Sequence, residues 1–203
     1  MNGTLEAMIE KLERFITPKL SGDEHKRKED SGEFTYIGLR PSEFIEQLEQ
    51  FRQIHFQKIS SGQRLKFVDV GCGIGSKLIL AHNSWLSLVG IEIEPSYVEV
   101  ARKLVPFADI RCQDAMSVDY GEFDVVYFYC PFRDLKKQAA LEAHIVNTAK
   151  SGAYILANAS VDLGLPSAYN KKNDPVKFNR MSELQSPLVD IWNYGYTNIW
   201  RKK

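Results

Sequence analysis

Leu5, Met8, Ile9, Leu12, Phe15 and Ile16 recur at helical spacing with Glu6, Glu10, Lys11 and Glu13 opposite them, and Thr17-Pro18 stops the pattern. The spacing predicts an amphipathic helix with one apolar face. Residues 19–32, KLSGDEHKRKEDSG, offer a core almost nothing and predict an exposed, mobile loop. From Arg40-Pro41 a second helix is expected to about Ser60, with Phe44, Leu48, Phe51, His55 and Ile59 on one stripe and Ser61-Gly62 ending it.

After Leu65 the texture changes to short apolar runs alternating with helical stretches, the pattern of parallel strands joined by crossover helices. Strands are expected near 65–70, 87–93, 107–112, 123–129 and 153–159. Helices are expected over 76–82, 95–104 and 134–149, the second opened by Pro95 and the third carrying Leu141, Ile145 and Ala149 four apart. The tail, SPLVDIWNYGYTNIWRKK, has two aromatic and β-branched runs around Gly195 and predicts a terminal hairpin on the sheet edge. The expected fold is therefore α/β, a doubly wound and mostly parallel sheet with helices on both faces. Residues 1–62 would pack on or cover a core domain formed by 63–203.

Composition narrows the chemistry. With 203 residues, one domain with additions is the natural size. Lys plus Arg and Asp plus Glu are 26 each, so a net charge of zero argues for neither nucleic acid nor an anionic membrane as partner. The N-terminus lacks the basic start and unbroken apolar stretch of a secretory signal, and no segment approaches the roughly 18 apolar residues of a membrane span. A cytoplasmic protein is expected. Cys72, Cys112 and Cys130 are widely spaced and odd in number, so reduced, packed thiols are expected in place of a disulfide framework or a CxxC site. His25, His55, His82 and His144 show no metal-ligand spacing, and no metal is expected.

The most informative segment is FVDVGCGIGS at Phe67 to Ser76, a strand that ends in three glycines on alternate positions and feeds a helix. Such glycines let the backbone turn sharply and let a nucleotide-like ligand approach main-chain N–H groups at the carboxyl end of a first strand. An acidic residue should follow about 20 positions on, at the tip of the second strand, to accept ribose hydroxyls. Glu92 in VGIEIEP stands there; Glu94 is the alternative, but strand alternation and Pro95 put it in the turn, where it would cap the helix. The third strand ends in RCQDAMS, leaving Asp114 at the rim of the same crevice, either toward a purine or as a turn cap.

With these residues in view, residues 65–160 resemble the class I S-adenosylmethionine-dependent methyltransferases, whose first motif, acidic-x-Gly-x-Gly-x-Gly, is matched by Asp69, Gly71, Gly73 and Gly75. The resemblance implies about seven strands with the last antiparallel. It also implies that Asp69 and the glycine backbone hold the methionine end of S-adenosylmethionine, Glu92 the ribose, Ile93 one face of the adenine, and Asp114 with the Ala115 amide its edge; S-adenosylhomocysteine would be the product.

Related nucleotide motifs fit less well. A dinucleotide GxGxxG and a phosphate-binding GxxxxGK would each need glycine at position 76, where Ser76 stands. The fourth strand ends in DVVYFYCPFRD, which puts Tyr129 and Phe132 where they would position the methyl acceptor. Amino-methylating members of the family carry Asn, Asp or Ser before Pro-Pro-aromatic there, and Tyr129-Cys130-Pro131-Phe132 departs from that pattern. The segment is similar instead to a Tyr-x-Pro-Phe-type motif of small bacterial methyltransferase-like proteins, which specifies no substrate. Cys130 reads as a packed rim thiol, since the Pro-Cys order of a pyrimidine-methylating nucleophile is reversed.

The chain is therefore expected to move a methyl group from S-adenosylmethionine to an unidentified acceptor, a small molecule or protein before a nucleic acid. A protein-lysine methyltransferase is one specific version. The alternatives are a non-catalytic S-adenosylmethionine-binding protein and an NAD-linked oxidoreductase. The N-terminal helix would be a lid, a fixed cover or a dimer contact.

Overall fold

The computed structural model describes residues 7–9, 11, 15, 26, 30, 41–56, 61–83, 85–158, 187–194 and 197–203. Nearly all of the expected N-terminal helix, its loop, and the end of the second helix beyond residue 56 lie outside the described residues, and so does its proposed role as lid or cover.

The elements run α1 (Pro41–Ile54), β1 (Leu65–Val70), α2 (Ser76–Ala81), β2 (Leu86–Glu92), α3 (Pro95–Leu104), β3 (Asp109–Cys112), two single-turn 3₁₀ segments (Ala115–Ser117 and Tyr120–Glu122), β4 (Val125–Tyr129), α4 (Leu135–Thr148), β5 (Tyr154–Asn158), β6 (Leu188–Tyr194) and β7 (Thr197–Lys202). One seven-stranded sheet forms in the order β3-β2-β1-β4-β5-β7-β6. β1 to β5 are parallel, and β7 enters antiparallel to β5 with β6 folded back on it at the edge. The α/β class, the five parallel strands and the terminal hairpin agree with the sequence pattern. The second helix runs to Ile54, with His55 in a turn and Phe56 again helical.

β1, β2, β4 and β5 are buried on both faces, which is why their sequences are mostly apolar, whereas the edge strand β3 buries only Ile110. On one face Phe67, Leu88, Tyr127, Leu156 and Ile199 meet α1 to α3 through Phe44, Phe51, Leu78 and Val98. On the other, Val68, Val70, Ile91, Phe128 and Trp200 meet Leu141 and Ile145 of α4 together with Tyr120 and Phe123. α1 is thus a core element, with Phe44 and Phe51 fully buried. Truncating either phenylalanine to Ala would cost about 3–5 kcal/mol.

A polar tie secures α1 to the far side of the sheet. The fully buried Gln47 amide donates to the Asn198 carbonyl at 2.8 Å and to the Ala157 carbonyl at 3.4 Å, while its own oxygen accepts from Asn158 Nδ2 at 3.2 Å. Asn158 Nδ2 also lies 3.2 Å from the Tyr127 hydroxyl.

The strand order reverses direction between β1 and β4, which pair Asp69 with Tyr127 and Val70 with Phe128. Loops leaving the carboxyl ends of these two strands diverge to opposite faces, and a crevice opens between them.

Candidate functional site at the carboxyl ends of the strands

A cavity of about 320 Å³ fills that crevice. Its floor includes Asp69 of β1 with Gly71 and Gly73 after it, and one side is formed by Glu92 at the end of β2 and Ile93 after it, with Asp114, Ala115 and Met116 after β3. Tyr129, Cys130, Pro131 and Phe132 close the β4 side. Four loops far apart in sequence therefore converge on one space.

The β1 loop is shaped by backbone. The amides of Gly71 and Cys72 both donate to the Ile91 carbonyl at 2.9 Å, clipping the loop to the end of β2. Gly71, Gly73 and Gly75 have φ of 74°, 55° and 86°, a region in which a side chain is strained. Their roles differ. A Cβ on Gly71 would stand 3.2 Å from Pro131 Cβ, so this glycine lets the β1 and β4 loops approach. Gly75 lies outside the cavity lining, and a Cβ there would come within 2.9 Å of Val105 Cγ2. At Gly75 the glycine accommodates the packing of the turn on the end of α3.

Glu92 is 7% exposed. Its Oε2 accepts from the Gly73 amide at 3.0 Å and its Oε1 from the Glu94 amide at 2.8 Å, so the carboxylate orients the glycine loop as well as facing the cavity. Each oxygen keeps acceptor capacity for a ligand hydroxyl. Glu94 occupies the N-cap position of α3 but makes no capping hydrogen bond through its side chain, which corrects the expected cap. It is instead 2% exposed, with Oε1 accepting from Ser96 Oγ at 3.4 Å.

Asp69 is 2% exposed and its Oδ2 has no hydrogen-bond partner among the described residues. Burial, with the like charge of Glu92 adding to it and Lys77 opposing, raises its carboxyl from 3.8 to about 7. An unsatisfied carboxylate oxygen in a cavity wall is costly to hold and ready for a cationic donor group.

Asp114 is a turn cap, and it also lies in the cavity lining. Its Oδ1 accepts from the Met116 amide at 2.9 Å, capping the first 3₁₀ segment, and its side of that turn lines the cavity. Ala115 is fixed by its carbonyl, which accepts from the Tyr120 hydroxyl at 2.9 Å. Ile93, 38% exposed, presents an apolar face.

At the β4 end Cys130 has φ 32°, rare for a residue other than glycine and a place where the backbone stores about 1–3 kcal/mol. The turn is secured from α4, where Gln138 Oε1 accepts from the Phe132 amide at 3.2 Å and Gln138 Nε2 donates to Glu142 Oε1 at 2.8 Å. Burial and the nearby Glu142 carboxylate push the Cys130 thiol up to about 11, so little thiolate forms near neutrality, in keeping with a packed rim thiol. Tyr127 lies fully buried in the cavity floor. Its hydroxyl is held well above the usual tyrosine range by burial and by the charge of Asp69.

Lys77 and Tyr97 also line the cavity, and sequence inspection did not single them out. The signal for Lys77 was present: a lysine in the first turn of a helix otherwise reading Leu78-Ile79-Leu80-Ala81. Among the described residues no group of three His, Cys, Asp or Glu could hold a metal, and no helix is long and apolar enough to cross a membrane.

Comparison with known proteins adds the following. Residues 68–157 match the family model of the methyltransferase domain. No curated protein matches the sequence. The crystal structure of magnesium protoporphyrin IX methyltransferase from Synechocystis PCC 6803 with bound SAM is similar at a TM-score of 0.53 and 12% identity, over 96% of this chain and 97% of that one. The SAM-bound amino pentose methyltransferase CalS10 from Micromonospora echinaspora aligns with a TM-score of 0.46 and 17% identity, covering 70% of this chain and 57% of that one. The PH0226 protein from Pyrococcus horikoshii OT3 gives 0.49 and 15%, over 78% and 90%.

Proposed function

We propose that this chain, a class I S-adenosylmethionine-dependent methyltransferase by its domain and fold, moves the donor's methyl group to a small-molecule or protein acceptor that enters past Tyr129 and Phe132. The observation that carries the donor site is the buried, unpartnered Asp69 Oδ2 opening on a glycine-lined cavity beside Glu92. A donor with a cationic amino group would supply what Asp69 Oδ2 lacks, and a ribose diol would use the acceptor capacity that Glu92 keeps beside its two backbone amides.

S-adenosylmethionine, when bound, supplies an electrophilic methyl group on a sulfonium, so the protein needs no strong catalytic acid or base. Its work is to bind, orient and exclude water. Asp69 would take the methionine ammonium, Glu92 the ribose, and Ile93 an adenine face, with the Asp114-Ala115 turn at the adenine edge. Tyr129 and Phe132 stand across the cavity, where an acceptor would be aligned. Their aromatic surfaces suit an apolar or long-stemmed acceptor, a lysine side chain being one such stem. The absence of an amide or carboxylate at Tyr129-Cys130 in the position of an amine-holding residue argues against exocyclic base amines.

Incubation with methyl-labelled donor and cell extract, followed by separation of protein, nucleic acid and small molecules, tests this reading. Label is expected in protein or small molecules. Label confined to nucleic acid would refute the acceptor assignment, and donor binding without transfer to any fraction would favour a binding protein.

A further inference from the structure

The charged groups of the cavity are divided between its two walls. The β1, β2 and β3 side carries the carboxylates Asp69, Glu92 and Asp114, with Lys77 among them. The opposite wall, made by the β4 turn and the start of α4, presents Tyr129, Phe132, Lys137 and Ala140, and among the described residues Lys137 is its one charged group. Two carboxylates of the same region are engaged within the fold. Asp134 Oδ1 accepts the Lys136 and Lys137 amides at 2.8 and 3.1 Å, and Glu142 is fully buried with Oε1 taken by Gln138 Nε2 at 2.8 Å.

Lys137 and Ala140 are three apart in α4, so they share one helix face, and both are exposed. Ala140 ends at its methyl group and leaves room beside the lysine stem. Tyr129 and Phe132, partly exposed, add aromatic surface to the same wall. An exposed ion pair contributes little, so a surface partner of Lys137 can be exchanged for a ligand anion. Arg133 and Lys136, exposed in the turn before it, raise the positive potential at this end of the cavity.

We propose that the methyl acceptor is a small molecule with an aromatic or flat apolar body and an anionic group, a carboxylate or phosphate, and that Lys137 is the residue that recognises that anion. This rests on the methyl-transfer reading above and deepens it by naming the acceptor class. The anion is a handle and not the methylated atom, so the product keeps its charge. A cation on this wall also selects against the lysine stem that the aromatic surfaces alone would admit, because an incoming ammonium meets a like charge.

Methyl-labelled S-adenosylmethionine incubated with the full chain and a protein-free filtrate of cell extract, with the products separated by anion exchange near neutral pH, tests the assignment. Label is expected in retained, anionic products. Lys137→Met should slow incorporation into that fraction at least about tenfold and Lys137→Arg should restore most of it, as expected for loss and return of one charge-assisted contact. Calorimetry with S-adenosylhomocysteine should stay within about twofold in both variants, which reports that they are folded and separates Lys137 from the donor site. Label confined to unretained small molecules, or to protein when whole extract replaces the filtrate, would overturn the anionic class. An unchanged rate with Lys137→Met, or a matching loss of S-adenosylhomocysteine affinity, would overturn the role of Lys137. In each of these cases methyl transfer itself stands. Donor binding with no label in any fraction of whole extract would overturn the methyl-transfer reading, and the acceptor class with it.

Discussion

Replacing Asp69 by Asn separates what the cavity demands from what the fold prefers. Burial, opposed by Lys77 and reinforced by Glu92, raises the folded-state carboxyl from 3.8 to about 7. Below the lower value Asp69 is neutral in both states and carries no ionisation penalty. Between the two the unfolded chain releases a proton that the folded chain retains, so stability falls as pH rises; above about 7 both forms are ionised and the penalty is constant. At about 1.4 kcal/mol per tenfold change, the full penalty is about 4 kcal/mol, of which about 2.5 kcal/mol is incurred between about pH 5 and pH 8. The amide has nearly the same shape and does not titrate. Urea unfolding followed by tryptophan fluorescence should therefore show the stability difference, variant minus parent, growing by about 2.5 kcal/mol in favour of Asp69→Asn over that interval. Other titrating groups cancel in the difference. A gap constant to within about 0.5 kcal/mol would refute the raised carboxyl and with it the stored cost of the site. Donor affinity should move the opposite way, since the variant loses the anion that would meet the methionine ammonium.

Other substitutions probe separate parts of the site. Glu92→Ala should weaken S-adenosylhomocysteine about tenfold to a hundredfold by calorimetry, because it removes charged acceptors for ribose and releases the amides of Gly73 and Glu94; an unchanged affinity would exclude Glu92 from the site. Gly75→Ala should lower stability by about 1–3 kcal/mol in denaturant melts, from its positive φ and the 2.9 Å approach to Val105, whereas Gly62→Ala, with open space around it, should cost about 1 kcal/mol. Equal losses would show that packing on α3 is immaterial. Phe132→Ala should leave donor affinity within about threefold while slowing transfer at least about tenfold, and a collapse of donor affinity would move Phe132 into the donor pocket. Gln47→Ala should cost about 2–3 kcal/mol by leaving Asn198, Ala157 and Asn158 groups without their buried partner, and a loss below about 0.5 kcal/mol would show that water replaces the amide.

Much of this architecture is local information. The alternation of apolar strands with helical stretches, the Pro95 start of α3 and the glycine-studded turn after β1 are patterns within a few residues, governed by backbone sterics and by burial on both sheet faces. The end of β2 at Glu92 and the Pro95 start of α3 likewise separate Glu92, which faces the cavity, from Glu94 in the turn. The break after α1 was less legible, because the apolar stripe runs through His55 while the chain turns there and is again helical at Phe56.

What sequence determined by itself was the element order, the class of sheet, and the cluster of Asp69, Gly71, Gly73 and Glu92 around one crevice, since a strand followed by a tight turn carries its conformational preferences with it. Tertiary structure decided how those groups are used. Gly75 serves Val105 of a helix 30 positions away, the Glu92 carboxylate reaches back to the Gly73 amide, and Gln47 finds partners 110 and 151 positions along the chain. Lys77 looks like one solvated charge in a short helix until closure of the β1 and α2 turn buries it in the cavity beside Asp69. Hydrogen bonding and desolvation depend on which groups the closed sheet excludes from water together, and no pattern along the chain encodes that as spacing.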